Sequence, residues 1–170
     1  DMPAVTGSST VDEDTSVTFG ANILISQNDK TDGSEAITQI VVGGLPVGAL
    51  VSYTPVGGGP LVSYTVAAGT TSVTLTGGTE DEIRAALATL TLTPPLHSDV
   101  NIPLSVAITK VDQTTSEGEA AATTTQNYTH TIAVAAVADG PTLSGSASGD
   151  EERRGRRSAR PGSRHRVECA

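Results

Sequence analysis

The sequence predicts an all-β sandwich, and three observations predict it. Short apolar segments recur between clusters of Gly, Pro, Asn and Asp. The 170 residues hold 25 Thr and 18 Gly but one Phe, three Tyr and no Trp. Thr and Val favour pleated, half-buried strands, and Gly marks turns. Ile102, Leu104, Val106 and Ile108 alternate strictly, the period of a strand with one face in a core. With so few aromatics, that core must be built from Val, Ile, Leu and Ala.

The elements follow in order. A strand is expected over 16–19 and a stronger one over 36–42, stopped by Gly43-Gly44. VSYT at 51–54 returns as VSYT at 62–65, around the glycine-rich connector PVGGGPL. That pattern is a hairpin whose seven-residue connector is too long for a tight turn. A strand over 71–75 is closed by Gly77-Gly78. One short helix is expected over about 79–88, where TEDEIRAAL places Glu82 three residues after the capping Thr79. Glu80 and Asp81 suit the positive end of its dipole, and Ile83, Ala86 and Leu87 make a small apolar face. About two turns long, it needs the sandwich to hold it. Residues 90–92 re-enter strand before Pro94-Pro95. Pro103 makes the alternating segment an edge strand or marks its start. The last strand covers 128–137, with Ile132 and Val134 inward.

The chain then begins again. DGPTLSGSAS at 139–148 lies 138 residues after DMPAVTGSST at 1–10. Asp, Pro, Gly and Ser coincide at 1/139, 3/141, 7/145 and 8/146, and Asp12-Glu13-Asp14 falls on Asp150-Glu151-Glu152. The division is therefore a sandwich repeat at 1–138, the start of a second repeat or linker at 139–150, and a tail at 151–170. The tail, EERRGRRSARPGSRHRVECA, has no periodicity and almost no apolar content, and is expected to be disordered. A reading-frame accident or cloning scar explains its abrupt start; a native basic tail touching anionic polymers is the alternative.

Charge divides the same way. Residues 1–150 hold sixteen acids and only Lys30, Arg84 and Lys110, giving −13. The last twenty hold seven Arg and three Glu, giving +4, which completes the total of −9. An acidic body repels nucleic acid and anionic membranes and suits cation binding or solubility. No apolar run nears the ~18 residues that cross a bilayer, so no membrane insertion is expected. No targeting run precedes Asp1, and the piece reads as a segment of something longer. Cys169 is the only cysteine, so no intrachain disulfide forms.

The acids gather in loops. VDEDT supplies Asp12, Glu13 and Asp14; NDKTDGSE supplies Asp29, Asp32 and Glu35; Asp99 follows the double proline; KVDQTTSEGE supplies Asp112. Asp1 and Asp139 mark the ends of the repeat. A hard dication such as Ca²⁺ takes six to eight oxygens from carboxylates, amides and backbone carbonyls, and loops tolerate the bent backbone required. The spacing is not that of an EF-hand, and plain solvation of loop acids is the competing reading. Catalysis has little to stand on. His97-Ser98-Asp99 are neighbours in sequence, which does not make a triad. His130 reads as a satisfied or rim histidine, no His pair has zinc spacing, and Gly57–Gly59 precede Pro60 and a strand. No enzyme is expected. Tyr53 and Tyr64 occupy matching hairpin positions and either pack as a cross-strand pair or form a small glycan platform.

Four motifs carry a family resemblance over residues 1–150. Glu13-Asp14-Thr15, Asp32-Gly33-Ser34-Glu35, 90–95 with Asp99, and Val137-Ala138-Asp139-Gly140-Pro141 stand in an order that resembles the extender repeats of giant type I secreted RTX adhesins of bacteria. The resemblance implies an immunoglobulin/cadherin-like β-sandwich, secretion to the bacterial cell surface, and a role in adhesion and biofilm. It implies Ca²⁺ within and between modules, and neighbouring repeats of the same chain as partners. Glu13, Asp32 and Glu35 become ligands within the module. Asp139 joins Glu151 at the next junction, and Asp1 with Glu13 serves the previous one. The ligand candidates are thus Asp1, Glu13, Asp14, Asp29, Asp32, Glu35, Asp99, Asp112, Asp139 and Glu151. The function implied is a non-catalytic spacer. A ligand-binding sandwich, recognising a glycan or protein near Tyr53 and Tyr64, is the alternative.

Overall fold

Alternating apolar residues built the prediction, and in the structure they line the space between two sheets. The structure is a computed structural model and describes residues 3–27, 35–112 and 121–138. All belong to one unit, Asp1–Ala138. Ten strands and one helix are described: β1 (Ala4–Thr6), β2 (Ser9–Asp12), β3 (Leu24–Ser26), β4 (Glu35–Gly43), β5 (Leu50–Tyr53), β6 (Val62–Thr65), β7 (Ser72–Thr76), α1 (Glu80–Ala88), β8 (Thr91–Thr93), β9 (Ile102–Asp112) and β10 (Ala122–Ala135). A 3-10 turn, Gly20–Asn22, precedes β3. The expected all-β sandwich with a single helix is the fold. The expected tail lies outside the described residues.

The larger sheet runs β2-β10-β9-β4-β7, and the smaller runs β6-β5-β8. β2 lies parallel to β10, while every other pair in both sheets is antiparallel. β1 pairs with β3 instead, so the chain changes sheets at Gly7-Ser8. The core joins Ile40 and Val42 of β4, Leu104, Val106 and Ile108 of β9, and Ile132 of β10 to Val51 and Leu92 of the opposite sheet. Phe19, the only Phe, is fully buried among them. Removing such a ring costs about 3–5 kcal/mol.

The helix has the expected cap. Thr79 Oγ1 accepts from Glu82 N at 3.3 Å, and Glu82 Oε2 accepts from Thr79 N at 2.8 Å. It buries Ile83, Ala86 and Leu87, the face read from the sequence. A bulge between Ile37 and Gln39 frees the Ile37 N–H from the ladder. Glu80 Oε2 accepts it at 3.1 Å, tying the helix start to β4. Arg84 completes the tie, donating to Glu80 Oε1 at 2.7 Å and to the Ile25 carbonyl at 2.9 Å.

Two expectations change and one alternative is decided. The strand expected over 16–19 reduces to one bridge, Val17 to Leu92. Phe19 then dives into the core, and Gly20 passes so near the helix end that a Cβ there would meet the Leu87 carbonyl at 1.8 Å. Of the two readings of Pro103 the start of a strand holds: β9 begins at Ile102 and lies between β10 and β4, so it is not an edge. Pro103 is tolerated at its start because β4 pairing ends at Gly43 opposite Ser105. The last strand begins at Ala122, six residues early. Residues 122–125 are exposed on both faces, so no apolar period marks them.

Candidate acidic poles

Glu13 and Asp14 reach their position through strand direction. Because β2 runs parallel to β10, the chain leaves β2 at the end where β10 finishes. Glu13 N donates to the Ala135 carbonyl at 2.9 Å, and Glu13 Oε1 accepts from Val137 N at 2.6 Å. The sequence reading assigns Glu13 to the previous junction and to the module itself; in the structure its contacts are to the end of β10. It sits beside the residues that lead out of the module. Asp14, in a left-handed turn at φ 61°, accepts the His97 N–H at 2.9 Å through Oδ1. His97, itself at φ 57°, brings Nδ1 to 3.4 Å from Asp14 Oδ2. Asp99 is exposed two residues further along the same loop. A groove of about 320 Å³ runs alongside, lined by Thr10, Val11, Asp12, Thr15, Ser16 and Val17.

Glu35 and Asp112 lie at the other end, opposite one another on β4 and β9, with Asp112 also facing Ala122. From Ala122 to Ala135 is thirteen residue steps. At ~3.3 Å per step a strand of that length spans at most about 43 Å between the two acidic ends. Here the structure adds a partner that the sequence reading missed. Lys110 continues the inward alternation of β9 and is 4% exposed. Its Nζ donates to Glu35 Oε1 at 2.6 Å, and both side chains are at most 6% exposed. The hydrogen bond from Lys110 holds the Glu35 carboxyl below its ordinary value, against the opposing effect of burial. Burial pulls Lys110 down, but the hydrogen bond and charge of Glu35, with Asp112, outweigh it and raise the ammonium pKa. The signal was the unbroken period 102, 104, 106, 108, 110, which puts a lysine on the core face.

Asp1, Asp29, Asp32, Asp139 and Glu151 lie outside the described residues. Among the described residues, no three Asp, Glu, His or Cys side chains converge. Glu13, Asp14 and Asp99 are therefore near one pole without forming a closed ligand set of side chains alone. Tyr53 faces Val62, and Tyr64 faces Val51, so the two rings are diagonal neighbours on the inward face. Both pack against the core. Burial, then the nearby Tyr53, raises the Tyr64 pKa. His130 is buried, with Nε2 3.0 Å from Ser9 Oγ. No described helix is long and apolar enough to cross a membrane.

Fold and poles together define an all-β sandwich with carboxylates at both ends of its longest strand. No protein family, curated protein or solved structure matches the chain.

Proposed function

We propose that residues 1–138 are a non-catalytic spacer module of a secreted bacterial surface adhesin, stiffened by Ca²⁺ at its acidic poles. The observation that carries this reading is the placement of Glu13 and Asp14 beside the end of β10, with Asp112 at the opposite end of the same sheet. A repeat that restarts at Asp139 continues from the first of these poles. Carboxylates there repel one another, and a cation shared between modules removes both the repulsion and the swing of the linker. The oxygens fit a hard cation in kind. Glu13 and Asp14 each give one oxygen to a backbone N–H, and the second oxygen of Asp14 lies 3.4 Å from His97 Nδ1. Six to eight ligands require backbone carbonyls and water as well. Secretion suits this design, because affinity of about 10⁻⁴–10⁻³ M suffices outside a cell and leaves the chain unloaded within it.

Thermal melting of the full chain tests the reading. Millimolar Ca²⁺ is expected to raise Tm by several degrees over the same sample in EDTA, as for any ligand bound to the folded state alone. Glu13→Gln/Asp14→Asn is expected to remove most of that increment. Equal melting with and without Ca²⁺ removes the calcium half of the proposal.

A further inference from the structure

The point where the first segment changes sheets rests on a buried imidazole. His130 is 1% exposed and lies on the inward face of β10. Ser9 Oγ is 3.0 Å from its Nε2, and Asn22 Nδ2 donates to the same oxygen at 3.0 Å. With one Ser9 lone pair taken by Asn22, the hydroxyl hydrogen is free to donate to Nε2, which places the imidazole proton on Nδ1. Nδ1 is buried with no partner of hydrogen-bonding geometry among the described residues. The Phe19 ring closes the pocket, its centroid 6.3 Å from that of His130. Gly7, at φ 114°, crosses above with so little room that a Cβ would meet the Asn22 carbonyl at 1.8 Å.

We propose that His130 is a pH-sensitive latch that docks residues 3–12 onto the sandwich. The neutral ring accepts from Ser9 and holds the sheet change in place. Protonation removes that acceptor and leaves a cation in a site with no counter-charge. The elements packed around the ring present Ser9 from β2, Leu104 from β9, Phe19, Asn22 from the 3-10 turn and the backbone of Gly7, the one group that favours the charged ring. None of these ionises. The nearest ionisable neighbour on the inward face of β10 is Tyr128, whose hydroxyl donates to the Pro3 carbonyl and so holds the same segment. Lys110 and Glu35 are at the far end of β9, paired to each other.

Burial also pushes the His130 pKa below 6.5, only partly opposed by the Gly7 backbone. A base with a depressed folded pKa contributes stability that is present above its unfolded value and lost as pH falls through the folded one. Release of residues 3–12 therefore belongs on the acid side of 6.5.

Amide hydrogen exchange of the full chain by NMR, from pH 7.5 to 4.5 and corrected for intrinsic rates, reads the latch directly. Exchange of amides in residues 9–12 is expected to rise about tenfold for each pH unit between 6.5 and the lower folded titration point of His130, and to level off below it. Amides in the middle of β4 and β9 should stay protected, and the ring resonances of His130 should titrate where the rise levels off. His130→Gln, which keeps an acceptor but has no proton to gain, is expected to give flat protection. Ser9→Ala, a second variant in case the first does not fold, should move the midpoint to higher pH. Unchanged protection at pH 4.5, loss of all three strands together, or an unmoved midpoint in Ser9→Ala overturns the proposal.

Discussion

Lys110 shows what a single residue does at an inward position of a strand. A lysine on the core face is tolerated because Glu35 meets it at 2.6 Å. Removing one partner takes from the other the opposite charge it meets at 2.6 Å, while replacing both by apolar groups of similar volume leaves neither charge buried. Lys110→Met is therefore expected to lower the urea midpoint more than Lys110→Met/Glu35→Leu, in denaturation curves at pH 7. The pair also sets a pH window. Glu35 has a lowered folded pKa, so its share is present above 4.5 and fades as pH falls through the lower folded value. Lys110 has a raised folded pKa, so its share is present below 10.5 and is lost as pH rises beyond it. The double apolar variant should show a smaller loss of stability at each flank than the wild type. If it does not, the pair is not their source.

The helix was the most legible element, because its signals are local. Thr79, Glu82 and the apolar positions 83, 86 and 87 specify a cap and a face without reference to distant residues. Thr79→Ala is expected to cost about 1 kcal/mol, a fall in Tm of about 4 °C; Thr79→Ser should keep most of it. The hairpin of β5 and β6 was equally plain in the repeated VSYT, though its register is diagonal for the tyrosines. The first segment was not legible as strands. β1 and β3 have three residues each, and β2 has four, too short for a period to show. Their pairing with strands more than 120 positions away for β2, and about twenty for β1, exists only in the folded chain.

For the whole molecule, the acidic loops were visible in the sequence but their grouping was not. The parallel pairing of β2 with β10 is what places Glu13 beside the end of β10, and no local pattern announces it. A tandem of two modules joined at Ala138-Asp139 is the direct test of the spacer reading. In X-ray scattering, Ca²⁺ is expected to increase its maximum dimension and narrow its distance distribution relative to EDTA. Dimensions that ignore calcium sink the idea of a stiffened junction.

By itself the sequence determined the class of fold, the capped helix, the hairpin, the 138-residue period and the acidic character of the body. These follow from composition, alternation and short-range spacing, which the chain carries before it folds. Tertiary structure alone decided that Glu13 and Asp14 leave at the β10 terminus, that Glu35 answers Lys110, and that Ser9 meets His130 across 121 positions. Strand direction and order bring such pairs together. Neither is written in the residues themselves, because pairing is a choice among many partners that only the closed core makes.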